Sequence, residues 1–187
     1  LMQVADAHKA VATYRTTVYG QEAHSSKPHL GASAVEVAAS MINELYALQR
    51  ECEAAAETPS RFDPPFSTIN VGTVQGGTAR NILAKECSFY WEFRPLPGIR
   101  ADLAFKRLDD YVRTVALPRL TRYAPDARIE TLCELEVPGL LPEPGSEAET
   151  LALKLARSNR TIAVPYATEA GRFQAGQVPT LVCGPGN

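Results

Sequence analysis

From Ile82 to Arg94 the chain reads ILAKECSFYWEFR, and its polarity alternates with a period of two. Cys87, Phe89, Trp91 and Phe93 fall on one side, and Ser88, Tyr90, Glu92 and Arg94 fall on the other. Four bulky or apolar side chains on one face of an extended segment need an apolar layer against them, so this strand belongs to a sheet covered on one side. Three further segments have strand character: Ala10 to Tyr19 (AVATYRTTVY), Ser67 to Val74 (STINVGTV) and Arg128 to Val137 (RIETLCELEV). The covering layer is supplied by two segments of helical period. In the first, Ser33 and Glu36 have capping-box spacing, and Val35, Ala38, Ile42 and Leu45 form an apolar stripe that fades between Glu51 and Ala56. The second starts at a cap at Asp102 and runs to about Val115, with Ala104, Leu108, Tyr111, Val112 and Val115 on its apolar face, and Pro118 bends or closes it. The order is β-α-β-β-α-β, which predicts an α+β unit of four strands with two helices on one face.

Residues 1–8 and 139–187 stand outside that count. Ser146 to Ser158 reads as a helix with a second capping box, and Thr161 to Val164 and Thr180 to Val182 read as short buried strands. These pieces fit the edge of an α/β domain into which the unit at 9–138 is inserted. Leu1 lies inside an apolar pattern and the chain stops in a loop after Val182, so the sequence reads as the interior of a longer protein. A net charge of −2 with interspersed signs argues against a nucleic-acid arm or a membrane-surface patch. No apolar run approaches the roughly 20 residues of a membrane helix. Cys52, Cys87, Cys133 and Cys183 are far apart and form no C-x-x-C, which favours free thiols in a reducing cytoplasm over a zinc ribbon or disulfide scaffold.

Four places could carry chemistry. His24, in Gly20-Gln21-Glu22-Ala23-His24-Ser25-Ser26-Lys27-Pro28, sits between a strand end and a helix start. That is a rigid mount for an exposed catalytic group, and equally an ordinary turn. Pairing with His29 to bind a metal is disfavoured, because Pro28 intervenes and only Glu22 is a nearby carboxylate; a neutral His24 donating to an oxyanion is better chemistry. Gly76 to Asn81 (GGTARN) is either a glycine hairpin or a backbone nest with Asn81 as a polar contact. Arg94 is either half of a surface ion pair with Glu92 or a clamp for a carboxylate. Thr168, in Ala167-Thr168-Glu169-Ala170-Gly171-Arg172, is either a helix cap or part of a binding loop at a strand end. No G-x-S-x-G, H-E-x-x-H, G-x-G-x-x-G or Cys/His dyad is present, so the chain lacks a complete catalytic set.

Several segments in order carry a resemblance: Gly20-x-x-Ala23-His24-Ser25-Ser26, Phe62-Asp63-Pro64-Pro65-Phe66-Ser67-Thr68, Gly76-Gly77-Thr78-Ala79-x-Asn81-Ile82, Glu92-Phe93-Arg94-Pro95, Pro165-Tyr166-Ala167-Thr168-Glu169-Ala170-Gly171 and Cys183-Gly184-Pro185-Gly186. Together the chain resembles the aminoacylase-like family of di-zinc amidohydrolases and peptidases over nearly all its length. The resemblance implies a lid, or dimerisation, domain at 9–138, with 1–8 and 139–187 belonging to a catalytic α/β domain. It implies a cytoplasmic homodimer joined through the lid. It implies two zinc ions in the intact enzyme, with cobalt as the alternative metal, none of them bound by this chain because the ligands lie outside it. The implied reaction removes the acetyl group from an N-acetylated amino acid, N-acetylornithine first, in arginine biosynthesis; a desuccinylase, an aminoacylase, a carboxypeptidase or a non-catalytic dimerisation module are the alternatives. Among residues, it implies that His24 donates to the oxyanion in the partner's active site. Asn81, Arg94, Thr168 and Glu169 contact substrate, Glu169 pairing with its ammonium, and Asn187 reaches the same site.

Overall fold

A computed structural model describes residues 2–184, which form two sheets. The larger is antiparallel and four-stranded, built from β2 (Val11–Tyr19), β3 (Thr68–Gly76), β4 (Glu86–Arg94) and β5 (Arg128–Val137) in the order β3-β4-β2-β5. The smaller contains β1 (Gln3–His8), β6 (Ile162–Val164) and β7 (Val182–Gly184) in the order β6-β1-β7, with β1 parallel to β6 and antiparallel to β7. Helices α1 (Ala34–Ala54), α2 (Leu103–Tyr111) and α3 (Leu117–Thr121) lie between strands of the larger sheet in sequence, and α4 (Glu147–Ala156) and α5 (Ala170–Ala175) follow it. The fold is α+β in the β-α-β-β-α-β order that the alternation predicts.

The inward face of β4 makes the core. Cys87, Phe89, Trp91 and Phe93 are buried beneath Val37, Ala38, Met41, Leu45 and Leu48 of α1 and Ala104 and Leu108 of α2. Tyr14 stacks on Trp91 with ring centroids 4.2 Å apart and meets Phe105 at 5.8 Å, so an aromatic column joins β2, β4 and α2. Its one buried indole N–H is satisfied: Trp91 Nε1 donates to Thr16 Oγ1 at 3.0 Å, and Thr16 Oγ1 also meets Thr131 Oγ1 at 3.0 Å.

The structure corrects several boundaries. The α1 stripe agrees in part with the expected one: Ala38 and Leu45 are buried as the spacing predicts, together with Ala34, Val37, Met41 and Leu48, whereas Val35 is exposed and Ile42 only partly covered. Ser33 caps this helix as its spacing predicts, accepting from Glu36 N–H at 3.3 Å, but the Glu36 carboxylate turns to Arg119. The second helix does not stop before Pro118. A π turn at Val112–Ala116, in which Leu117 N–H reaches Val112 C=O, inserts one extra residue ahead of the proline, and the chain continues as α3. The insertion rotates the apolar face, burying Ala116 and Leu120 and leaving Val115 exposed. Asp102 does not cap α2 through its side chain, because Arg100 (2.6 Å) and Lys106 (2.8 Å) take its carboxylate. The third strand begins at Glu86 and not Ile82, and the last described strand is Val182–Gly184 in place of Thr180 to Val182. No helix is long and apolar enough to cross a membrane among the described residues.

Two chain crossings join the sheets. The turn from β1 to β2 passes through Lys9 and Ala10, and the return passes through 138–140. His8 N–H donates to Leu140 C=O at 3.2 Å and Leu140 N–H to His8 C=O at 3.1 Å, which ties the crossings together.

Candidate functional site

The loop after β2 is shaped by a close approach. Gly20 has no room for a side chain, since a Cβ there would lie 2.1 Å from the Ala32 carbonyl oxygen. Gln21 and Ala32 exchange backbone hydrogen bonds of 2.9 and 3.0 Å and close the loop at its base. The segment before β4 zips onto it. Lys85 C=O accepts from Gly20, Leu83 N–H donates to Ala23, Asn81 C=O accepts from Ser25 at 2.9 Å, and His24 bridges Ile82. Ala84 C=O also accepts from Ala34 N–H at 2.8 Å, satisfying a free donor in the first turn of α1. These partners explain why residues 82–85 are not ladder residues, and why the β3–β4 connection is longer than a tight hairpin. Gly77, at φ +81°, starts that connection.

His24 is exposed. Residues 24–27 form a turn in which Lys27 N–H donates to His24 C=O at 2.8 Å. Within it, His24 Nδ1 meets Ser26 Oγ at 2.8 Å and accepts from Ser26 N–H at 3.2 Å. No hydrogen bond reaches Nε2 among the described residues. Asn81, also exposed, is held beside His24 by the backbone ladder.

The other named residues lie elsewhere. Arg94 ends β4 and is gripped by Glu92, with Nε to Oε1 at 2.8 Å and Nη2 to Oε2 at 3.0 Å, so within this chain its fork is filled. Thr168 Oγ1 accepts from Ala170 N–H at 3.1 Å just ahead of α5, whose N-cap position is Glu169, and the Glu169 carboxylate approaches Arg172 at 3.6 Å. Helix α5 is seated beside the crossings: Arg172 donates to Glu136 C=O at 2.7 Å, and the Gln174 amide brackets Leu141 at 2.9 and 2.7 Å. Since Pro95 C=O accepts from Ala10 N–H, Arg94 lies at the same junction. Asn187 lies outside the described residues.

That junction holds a buried polar group that composition does not disclose. Asp6 accepts from Arg61 at 2.5 and 3.3 Å and from Thr161 at 2.9 Å. Lys9 is 1% exposed and donates to Phe66 C=O at 2.6 Å. Burial, reinforced by Arg94, lowers the Lys9 pKa against the opposing pull of Asp63. His8 is fully buried, its Nδ1 donating to Lys9 C=O at 2.8 Å; burial lowers its pKa too, and its Nε2 has no partner among the described residues. The signal in the sequence is the polar run Asp6-Ala7-His8-Lys9, which closes β1 and leads into β2. Among the described residues, no three His, Cys, Asp or Glu side chains gather where they could hold a metal ion.

A family profile described as "Peptidase dimerisation domain" (M20 type) matches residues 6–119. The acetylornithine deacetylase of Proteus mirabilis is 31% identical over 191 residues, which takes in 100% of this chain and 46% of that protein. The acetylornithine deacetylase of Pectobacterium carotovorum is 32% identical over 188 residues, again 100% of this chain and 46% of the relative. The chain therefore spans about half the length of the curated relatives it matches. Among solved structures, a tripeptidase from Staphylococcus aureus superposes with a TM-score of 0.71 at 19% identity, over 97% of this chain and 45% of that one. Aminopeptidase PepT from Bacillus cereus gives 0.69 at 21% identity, over 96% and 44%. At these identities the superpositions speak for the fold.

Proposed function

This chain belongs to the M20 peptidase dimerisation-domain family, and on that premise we propose that it is the lid, with part of the catalytic domain, of a hydrolase that deacetylates N-acetylated amino acids, N-acetylornithine first. Residues 9–138 are the lid and residues 1–8 and 139–187 belong to the catalytic domain. The supporting names are those of relatives matched along the whole of this chain. The family's zinc pair does not fit any cluster among the described residues, so every step assigned to this chain uses its own polar groups.

One observation carries the division of labour. His24 and Asn81 are zipped together at the Glu86 end of β4, whereas Arg94, Thr168 and Glu169 lie at the Arg94 end. Eight strand steps separate those ends, about 26 Å at ~3.3 Å per residue. The two groups cannot meet on one substrate within one chain. A second copy solves this: the lid of one subunit presents His24 and Asn81 to the substrate held at the junction of the other. There the His24 ring donates to the oxyanion of the tetrahedral intermediate, where charge develops. Thr168 and its helix terminus receive the substrate carboxylate, and Glu169 receives its ammonium.

In the full-length enzyme, His24→Ala lowers kcat by roughly 10²–10³, the usual cost of one oxyanion donor. Co-expressing His24→Ala with a Thr168/Glu169 double variant restores part of the activity in mixed dimers, because one site then has both halves intact. A wild-type rate for His24→Ala, or no recovery in the mixed dimer, removes the reading. Parallel assays on N-acetylornithine, N-succinyl-diaminopimelate and N-acetylmethionine identify the acyl group.

A further inference from the structure

We infer that Ser26 is a positioning residue that sets which nitrogen of His24 carries the proton. The inference rests on the oxyanion-donor role proposed above and supplies a requirement that role leaves open. Neutral imidazole has one N–H and one lone pair, and only the N–H can stabilise a negative oxygen. In this loop Ser26 makes the choice twice, through its backbone N–H and through its hydroxyl. A peptide N–H has only a proton to offer, so the bond from Ser26 N–H to His24 Nδ1, 3.2 Å, requires a lone pair on Nδ1. The Ser26 hydroxyl, 2.8 Å from the same nitrogen, then donates as well. Two donors on Nδ1 place the ring proton on Nε2, the nitrogen without a partner.

The arrangement is fixed from several sides. The turn bond from Lys27 N–H to His24 C=O sets the position of Ser26. Ser25 N–H is held by Asn81 C=O, so the turn cannot swing away from the segment before β4. His29 is a control in the same chain: it is exposed, and its ring makes no hydrogen bond among the described residues. Ser26 thus selects the tautomer and fixes the ring plane without touching substrate.

The test uses ¹⁵N-histidine-labelled protein and the ring nitrogen shifts, which distinguish a protonated from an unprotonated nitrogen directly. His24 is expected as a single tautomer, unprotonated at Nδ1, against the solvent-like mixture of His29. Ser26→Ala removes the shorter of the two bonds and keeps the backbone one, so it moves His24 part of the way toward the His29 pattern, and Ser26→Thr restores it. In the full-length enzyme, Ser26→Ala lowers kcat about three- to tenfold, the loss of one hydrogen bond's worth of orientation, with KM unchanged. A His24 ring that matches His29 in the unaltered protein overturns the inference, and so does a Ser26→Ala ring indistinguishable from the unaltered one. The spectra stand apart from catalysis: a locked ring together with a wild-type rate for His24→Ala sinks the oxyanion reading and leaves the lock intact.

Discussion

Replacing Thr16 with Val tests whether the core of the larger sheet depends on its polar bridge. Thr16 is fully buried, and its hydroxyl is the one acceptor of the Trp91 indole N–H, itself on a residue only 3% exposed. Valine has nearly the same shape and the same β-branching, so little packing is lost. What changes is that a buried N–H is orphaned, at about 1–3 kcal/mol. Thr131 also loses its bond but is half exposed and can turn to water. The expected cost is about 2 kcal/mol, or a Tm lower by about 4–8 °C for a chain of this size. The cycle with Trp91→Phe gives the sharper measurement. With the indole gone there is no donor to orphan, so Thr16→Val should then cost under about 0.5 kcal/mol, a coupling of about 1.5 kcal/mol. Urea unfolding followed by far-ultraviolet circular dichroism reads all four proteins, including those without tryptophan. An equal cost of Thr16→Val in both backgrounds would refute the account, because the hydroxyl would then matter for something other than Trp91.

Three further outcomes are expected. Burial pushes the Tyr14 phenol up to about 12. The folded state therefore keeps a proton that the unfolded chain releases near pH 10, and stability falls as pH rises from 10 to 12, by up to about 2.7 kcal/mol; Tyr14→Phe should flatten that limb of the unfolding curve. Gly20→Ala forces a Cβ into the Ala32 carbonyl and should cost more than about 2 kcal/mol, visible as a lowered Tm together with shifted His24 resonances. The Arg94–Glu92 pair is about 30% exposed on both sides, so Arg94→Ala should change stability by less than about 1 kcal/mol in a thermal melt.

Strands with one wet face are legible from alternation alone, which is why β2 and β5 lie within a residue of where the pattern puts them. The ends are not legible where the partner is distant in sequence. Residues 82–85 keep strand-like polarity but spend their hydrogen bonds on Gly20 to Ala23 and on Ala34. The π turn leaves no compositional mark except the proline that follows it. β1 carries Asp6 and His8 in a buried strand, which no periodicity predicts. It is tolerable because Arg61, 55 residues away, meets the Asp6 carboxylate. Glu92 beside Arg94, two residues apart on one face, is legible; the contact of Asn81 with the His24 turn is not, because it depends on how two loops meet.

The segments that carry the family resemblance divide in space into two sets, and β4 is the spacer between them. The glycine loop with His24 and the G-G-T-A-R-N connection meet at one end. At the other, Phe66 C=O receives Lys9, Ser67 Oγ receives Leu96 N–H at 3.0 Å, Arg94 follows Phe93, and α5 docks on Glu136 and Leu141. The second set encloses the buried Asp6, His8 and Lys9; the Asp6 carboxylate, the His8 Nδ1–H and the Lys9 ammonium each have a fixed partner that offsets desolvation. Such a junction resists slippage, because displacing either crossing would strand a buried charge. The junction and β4 together set the distance from His24 to Arg94, and the proposed site shared between two subunits depends on that distance.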